Sequence, residues 1–147
     1  MPEEETLERA EQDKAEGKAP STQAGEFVHE EIEHIREGKH GARSTKQAIA
    51  IGLSKARRAG VKLPPSKGSS SKTRKQAARD LRKGKSASKK KKSAKRSRAT
   101  SQALKREGRS AASKQALSRQ ARSAAKKRSA ASRSRAAKKA AKTRAKK

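Results

Sequence analysis

Three histidines, His29, His34 and His40, stand among the glutamates of GEFVHEEIEHIREGKHG and are the only imidazoles in the chain. Imidazole beside carboxylate is the raw material of acid–base catalysis and of metal sites, so their spacing decides what they can do. His29 and His34 are five apart and point about 140° from one another on a helix, which is not the i, i+4 pair of a helical metal site. Glu26, Glu30, Glu33 and Glu37 share one helical face, with neither a calcium-loop pattern nor a cross-helix cation ligand, and read as a solvated stripe. Cysteine is absent, which removes a thiolate zinc site, a disulfide scaffold and a Cys nucleophile. No phosphate-cradling glycine loop or nucleophile elbow occurs. The expectation is a non-enzyme with no catalytic residue, no metal and no cofactor, its histidines at the surface.

The chemistry that remains is cationic. Lys and Arg number 43 against 14 Asp and Glu, for a net charge of +29 and a pI near 11.4. Residues 1–37 hold 12 acidic and 4 basic side chains, and residues 38–147 hold 2 acidic and 39 basic. A polycation of this density gains affinity for nucleic acid by releasing counterions from phosphate, without any defined fold. The candidate phosphate contacts are Lys46, Lys55, Arg57, Arg58 and Lys62 near the chain's middle, then Lys72, Arg74, Lys75, the run Lys89, Lys90, Lys91 and Lys92, Lys95, Arg96 and Arg98, and finally Lys126, Lys127, Arg128, Lys138 and Lys139. With one Phe and no Trp or Tyr there are no stacking platforms for single strands, which favours duplex DNA over RNA. Convergent base-reading residues are lacking, so no sequence readout is expected.

Few elements are available to position these groups. Eleven of the fourteen Ile, Leu, Val, Phe and Met residues lie at or before Leu63, so a core must form there if anywhere. Glu3, Glu4 and Glu5 suit a helix N-terminus and Gly17 a stop, but only Leu7 and the alanines can pack, so this first helix should be solvated and frayed. Ala24, Phe27, Val28, Ile32 and Ile35 share one face of a helix over 24–37, with Gly38 as its cap. Ser44 or Thr45 begins a second helix over 45–59, and Gly60 followed by Pro64-Pro65 ends it. Its face Ala48, Ile49, Gly52, Leu53 and Ala56 is small enough for close approach, and an acidic helix beside a basic one predicts an antiparallel hairpin. Ile51 falls off that face, and its exposure points to a homodimer through the hairpin.

GKHGARSTKQAIAIGLSKARRAGVKLP, with GEFVHEEIEHIREG before it, resembles a family of small, very basic bacterial proteins sharing a KQAIAI-x-LS-x-ARRAG core. The resemblance covers about a third of the chain and implies a bacterial setting, with no mechanism attached. The rest is similar in composition to linker-histone tails and Lys/Ala-rich bacterial histone-like proteins.

Residues 66–147 contain 32 bases against Asp80 and Glu107, and like-charge repulsion with so little apolar surface predicts disorder. Ala, Lys, Arg and Gln are nevertheless good helix formers, so a polyanion should induce helix, continuous from Ser110 to Lys147 and roughly 57 Å long. Six of the seven glutamines precede Ala, at irregular spacing that reads as low-complexity drift. The expected organisation is a mostly disordered protein with a small all-α part: an acidic arm over 1–20, a helical hairpin over 21–65 and a basic nucleic-acid-binding tail over 66–147. The acidic, non-apolar N-terminus and the lack of any long apolar stretch exclude a signal peptide and a membrane span. The reading that follows is a nonspecific, histone-like DNA-compacting protein of the cytoplasm and nucleoid, with an RNA- or ribosome-associated basic factor as the alternative.

Overall fold

The computed structural model describes residues 1–86 and 92–146. Within them the protein is all-α: α1 (Glu4–Ala15), α2 (Pro20–Arg36), α3 (Thr45–Arg58), α4 (Ser71–Lys85), α5 (Ala94–Lys105), a 3-10 turn (Ser110–Ala112), α6 (Lys114–Lys126) and α7 (Ala130–Ala145). Contacts divide it into two compact units, Met1–Ser113 and Lys114–Lys147.

The expectation of a mostly, intrinsically disordered chain is therefore wrong. Most of the described part of the basic segment is helical. Two local causes outweigh repulsion. Ser70, Ser93 and Ser129 each stand one residue before a helix and accept a hydrogen bond from a backbone N–H of its first turn. Behind those caps the helices are built largely from Ala, Lys, Arg and Gln, the residues that lose least on becoming helical. Ser129 also divides what sequence reasoning read as one long helix from Ser110, since a new cap at that position starts α7 and ends the run of α6.

In the first unit α2 packs against both α1 and α3, and α3 against α4. Ala10, Ala24, Phe27, Ala56 and Val61 form a buried cluster, with Leu53 and Leu63 against it. Gly52 lies where a Cβ would stand 2.7 Å from Val28 Cα, so α2 and α3 touch backbone to backbone there. Gly60 takes φ +105° and lets Val61 N–H fold back onto the Ala56 carbonyl at 3.0 Å, closing α3 as expected. Ser44 caps α3 by accepting from the Gln47 N–H.

The first helix departs from expectation. α1 is docked on α2, burying Thr6, Ala10 and Asp13, and Arg9 Nε donates to Glu26 at 2.8 Å. Small side chains suffice because Ala10 shares one buried cluster with Ala24 and Phe27, where a longer residue would hold the helices apart. Ile51 is half-buried and not exposed as expected.

Residues after α5 also join this unit. The Gly41 and Ala42 N–H groups donate to the carbonyls of Leu104 (2.9 Å) and Gly108 (3.1 Å). Thr45 Oγ1 donates to the Ala111 carbonyl at 2.6 Å, Arg36 Nε donates to that of Ala112 at 3.0 Å, and both alanines are buried. Gly41 makes this seat: a Cβ there would run into the Glu107 carbonyl.

Candidate nucleic-acid interface

The structure sorts the candidate bases by what else they do. Lys55 Nζ lies 3.1 Å from Glu30 Oε1 and 2.7 Å from Glu31 Oε2, and both carboxylates are buried. Burial alone would lower the Lys55 pKa, but Glu31 and Glu30 raise it above the ordinary lysine value. Likewise burial would raise Glu30, while the Glu3 N–H and Lys55 hold it below the usual carboxylate range. Arg57 is buried and donates Nε to the Leu63 carbonyl at 2.9 Å. Arg58 donates Nε to the fully buried Asp80 at 2.8 Å, joining α3 to α4. Three of the hairpin's bases thus neutralise or brace the fold, and Lys46 and Lys62 are left exposed.

The bases beyond Pro65 are differently placed. Lys72, Arg74 and Lys75 are exposed on α4, whose buried residues are Ala77 and Asp80. Lys92 is exposed just before α5 and Lys95, Arg96 and Arg98 are exposed on that helix, which buries nothing. Lys89, Lys90 and Lys91 lie outside the described residues.

The second unit, taken by itself, is the most uniformly cationic part of the protein. Residues 114–147 hold 14 Lys and Arg and no acidic residue. Lys126, Lys127, Arg128, Lys138 and Lys139 are all exposed, and Arg128 reaches the Ser132 hydroxyl at 3.3 Å across the α6–α7 turn. A groove of about 460 Å³ is lined by Arg119, Arg122, Ser123, Lys126 and Lys127. Arg119, Arg122 and Lys126 recur at i, i+3 and i+7, so α6 presents them along one stripe. Sequence reasoning named Lys126 and Lys127 here but missed Arg119 and Arg122. Helical spacing would have found them had the segment been read as a helix of its own.

The histidines are also sorted. His29 is exposed as expected, whereas the side chains of His34 and His40 are only 12% and 18% accessible. His34 Nε2 meets Glu3 Oε1 at 2.9 Å, and Lys39 Nζ reaches the same oxygen at 3.0 Å. The two contacts, that of His34 first, hold the Glu3 carboxyl down to about 2.

A family model described as a family of unknown function, DUF6496, matches residues 15–67, which takes in α2 and α3. No curated protein and no solved structure matches the chain. Among the described residues no helix is long and apolar enough to cross a membrane.

Proposed function

We propose that this protein binds duplex nucleic acid without sequence preference, duplex DNA before RNA, by neutralising phosphates in the manner of histone-like, nucleoid-associated proteins. The observation that carries the reading is the second unit, where 14 bases meet no acidic residue and Arg119, Arg122, Lys126 and Lys127 line one groove. The unit itself carries no carboxylate side chain to pair its bases, in contrast to the surroundings of Lys55 and Arg58, so its phosphate contacts release counterions without displacing an ion pair of its own. Helices of 13 and 16 residues are about 20 and 24 Å long, which suits them to follow duplex backbone over a few base pairs each. Preference for a duplex follows from the single aromatic side chain other than histidine, Phe27, being 1% exposed in the core and closed to base stacking.

The test is a salt series on the full chain with duplex DNA, double-stranded RNA and single-stranded DNA. Binding to duplex DNA should fall steeply with salt. Arg119→Gln with Arg122→Gln should shrink the slope of log affinity against log salt by about 1.8, at about 0.9 per lost phosphate contact, and so weaken binding about sixtyfold at 0.1 M salt. An unchanged slope removes the α6 groove from the interface. Tighter binding to double-stranded RNA than to DNA favours the ribosome-associated alternative, and no duplex binding at 50 mM salt ends the proposal.

A further inference from the structure

Glu31 is the most conspicuous side chain that phosphate binding leaves unused. It lies on the core face of α2, its side chain 1% accessible, and neither carboxylate oxygen has a hydrogen-bond partner. Lys55 Nζ lies 2.7 Å from Oε2 and His40 Nε2 lies 3.2 Å from Oε1 as ion contacts. Lys55 supplies a cation at Oε2, which leaves Oε1 as the buried oxygen faced by His40 alone.

The histidines beside it are arranged to offer lone pairs. His40 Nδ1 contacts the Gly41 carbonyl at 3.0 Å, and a carbonyl can only accept, so Nδ1 carries the proton. In the neutral ring Nε2 then turns a lone pair toward Glu31 Oε1 at 3.2 Å, acceptor facing acceptor. His34 is held in the same way, with Nε2 on the Glu3 carboxylate at 2.9 Å, while its Nδ1 stands 3.9 Å from Glu30 Oε1, beyond hydrogen-bond reach. One ligand atom from each of Glu31, His34 and His40 lies within 4.8 Å of the others. Zinc holds N and O ligands about 2.0–2.1 Å away, so two such ligands in a tetrahedron stand about 3.3 Å apart. The Glu31–His40 pair already has that separation. A carbonyl or carboxylate on the far nitrogen of each ring is also the usual outer partner of a metal-bound histidine.

We propose that Glu31, His34 and His40 form a binding site for a divalent transition ion of the zinc type, with Glu3 and the Gly41 carbonyl orienting the two rings. Imidazole with carboxylate suits Zn²⁺ and Co²⁺ and not the all-oxygen preference of Ca²⁺ or Mg²⁺. Three protein ligands leave a fourth position for water. Lys55 neutralises Glu31 Oε2, which makes the site weaker than a thiolate site. The site ties α2 to the loop after Gly38, on which residues Leu104–Ala112 are seated through Gly41, Ala42 and Thr45. Metal should therefore stiffen that seat.

The test uses the full chain freed of metal with a chelator, then titrated with Zn²⁺ against a chromophoric competitor and, separately, with Co²⁺. One equivalent should bind at micromolar metal, Co²⁺ should show the visible absorption of a tetrahedral ion, and Zn²⁺ should raise the melting temperature. His34→Ala and His40→Ala should each weaken uptake at least about tenfold and Glu3→Gln several-fold, while His29→Ala changes nothing. Circular dichroism of each variant checks that the helices persist, and the wild-type titration stands whatever the variants do. No saturable uptake by the wild type at 0.1 mM Zn²⁺, or uptake that survives loss of both His34 and His40, overturns the site and leaves Glu31, His40 and Lys55 a buried ion cluster only.

Discussion

Gly52→Ala should destabilise the first unit by about 2 kcal/mol, while the same substitution at Gly25 should stabilise it by about 1 kcal/mol. Both glycines sit inside helices, α3 and α2, and both would gain about the same helix propensity from a methyl group. They differ in what that methyl meets. At Gly25 nothing lies within 4 Å. At Gly52 the new Cβ would stand 2.7 Å from Val28 Cα, 2.9 Å from Val28 Cγ2 and 3.0 Å from the Phe27 carbonyl. Cγ2 can rotate away, but Cα and the carbonyl cannot unless α2 itself moves. Overpacking of this kind costs about 1–3 kcal/mol, and a backbone obstacle puts Gly52 at the upper end before the propensity gain is returned. For a unit of this size the loss should lower the melting temperature by about 10 °C. Thermal unfolding of both variants measures the contrast. Equal shifts at the two positions would mean that α2 and α3 do not meet where the structure brings them together.

That contact shows what the sequence carries openly. Ser44, Gly60 and the small face Ala48, Gly52 and Ala56 are local signals, and each appears in the fold in its expected role. Other features depended on which residues were counted as core formers. Among the described residues eight of the twelve buried apolar side chains are alanines, including Ala77, Ala111 and Ala112 beyond the last cluster of large hydrophobics. An inventory of Ile, Leu, Val, Phe and Met misses them and leaves the basic segment with no visible reason to order. Alanine buries little area per residue, but it lets backbones approach, and dispersion between close backbones replaces part of what large side chains supply elsewhere.

Glu31 was hidden by a different habit of reading. Ala24, Phe27, Glu31 and Ile35 are spaced i, i+3, i+7 and i+11, one continuous stripe, and all are at most 1% exposed. The solvated stripe read for Glu26, Glu30, Glu33 and Glu37 left Glu31 unplaced, whereas its position puts it in the core, and Glu30 of that stripe is buried as well. Lys55 and His40, which approach it, come from the next helix and from the loop that Gly38 turns at φ +79°. Neither pairing is local, so no spacing within one helix could reveal it. The docking of α4 is equally nonlocal, since Arg58 and Asp80 meet across the proline-containing connection.

Asp80→Ala should release α4 from the first unit and leave α2 and α3 folded. Only Ala77 and Asp80 are buried on α4, so its attachment rests on a small alanine contact and one carboxylate. Asp80 is fully buried and accepts from Arg58 Nε at 2.8 Å and from Gln76 Nε2 at 3.2 Å. Breaking a fully buried ion pair costs about 3–5 kcal/mol, but Arg58 is 43% exposed and can turn to water, which brings the expected loss down to about 2 kcal/mol. The helix has little in reserve against it. Fifteen residues are near the minimum for an isolated helix in water, and α4 carries seven bases whose mutual repulsion Asp80 alone offsets. Hydrogen exchange is the direct measure. Amides of Ser71–Lys85 should lose their protection in the variant while those of Pro20–Arg36 and Thr45–Arg58 keep theirs, because the α2–α3 seam does not pass through Asp80. Asp80→Asn, which keeps the shape and an acceptor for Gln76, should fall between the two. If α4 keeps full protection in Asp80→Ala, the Arg58 pair is not what holds it, and the close passage of Gly84 by the Arg57 carbonyl becomes the contact to break next.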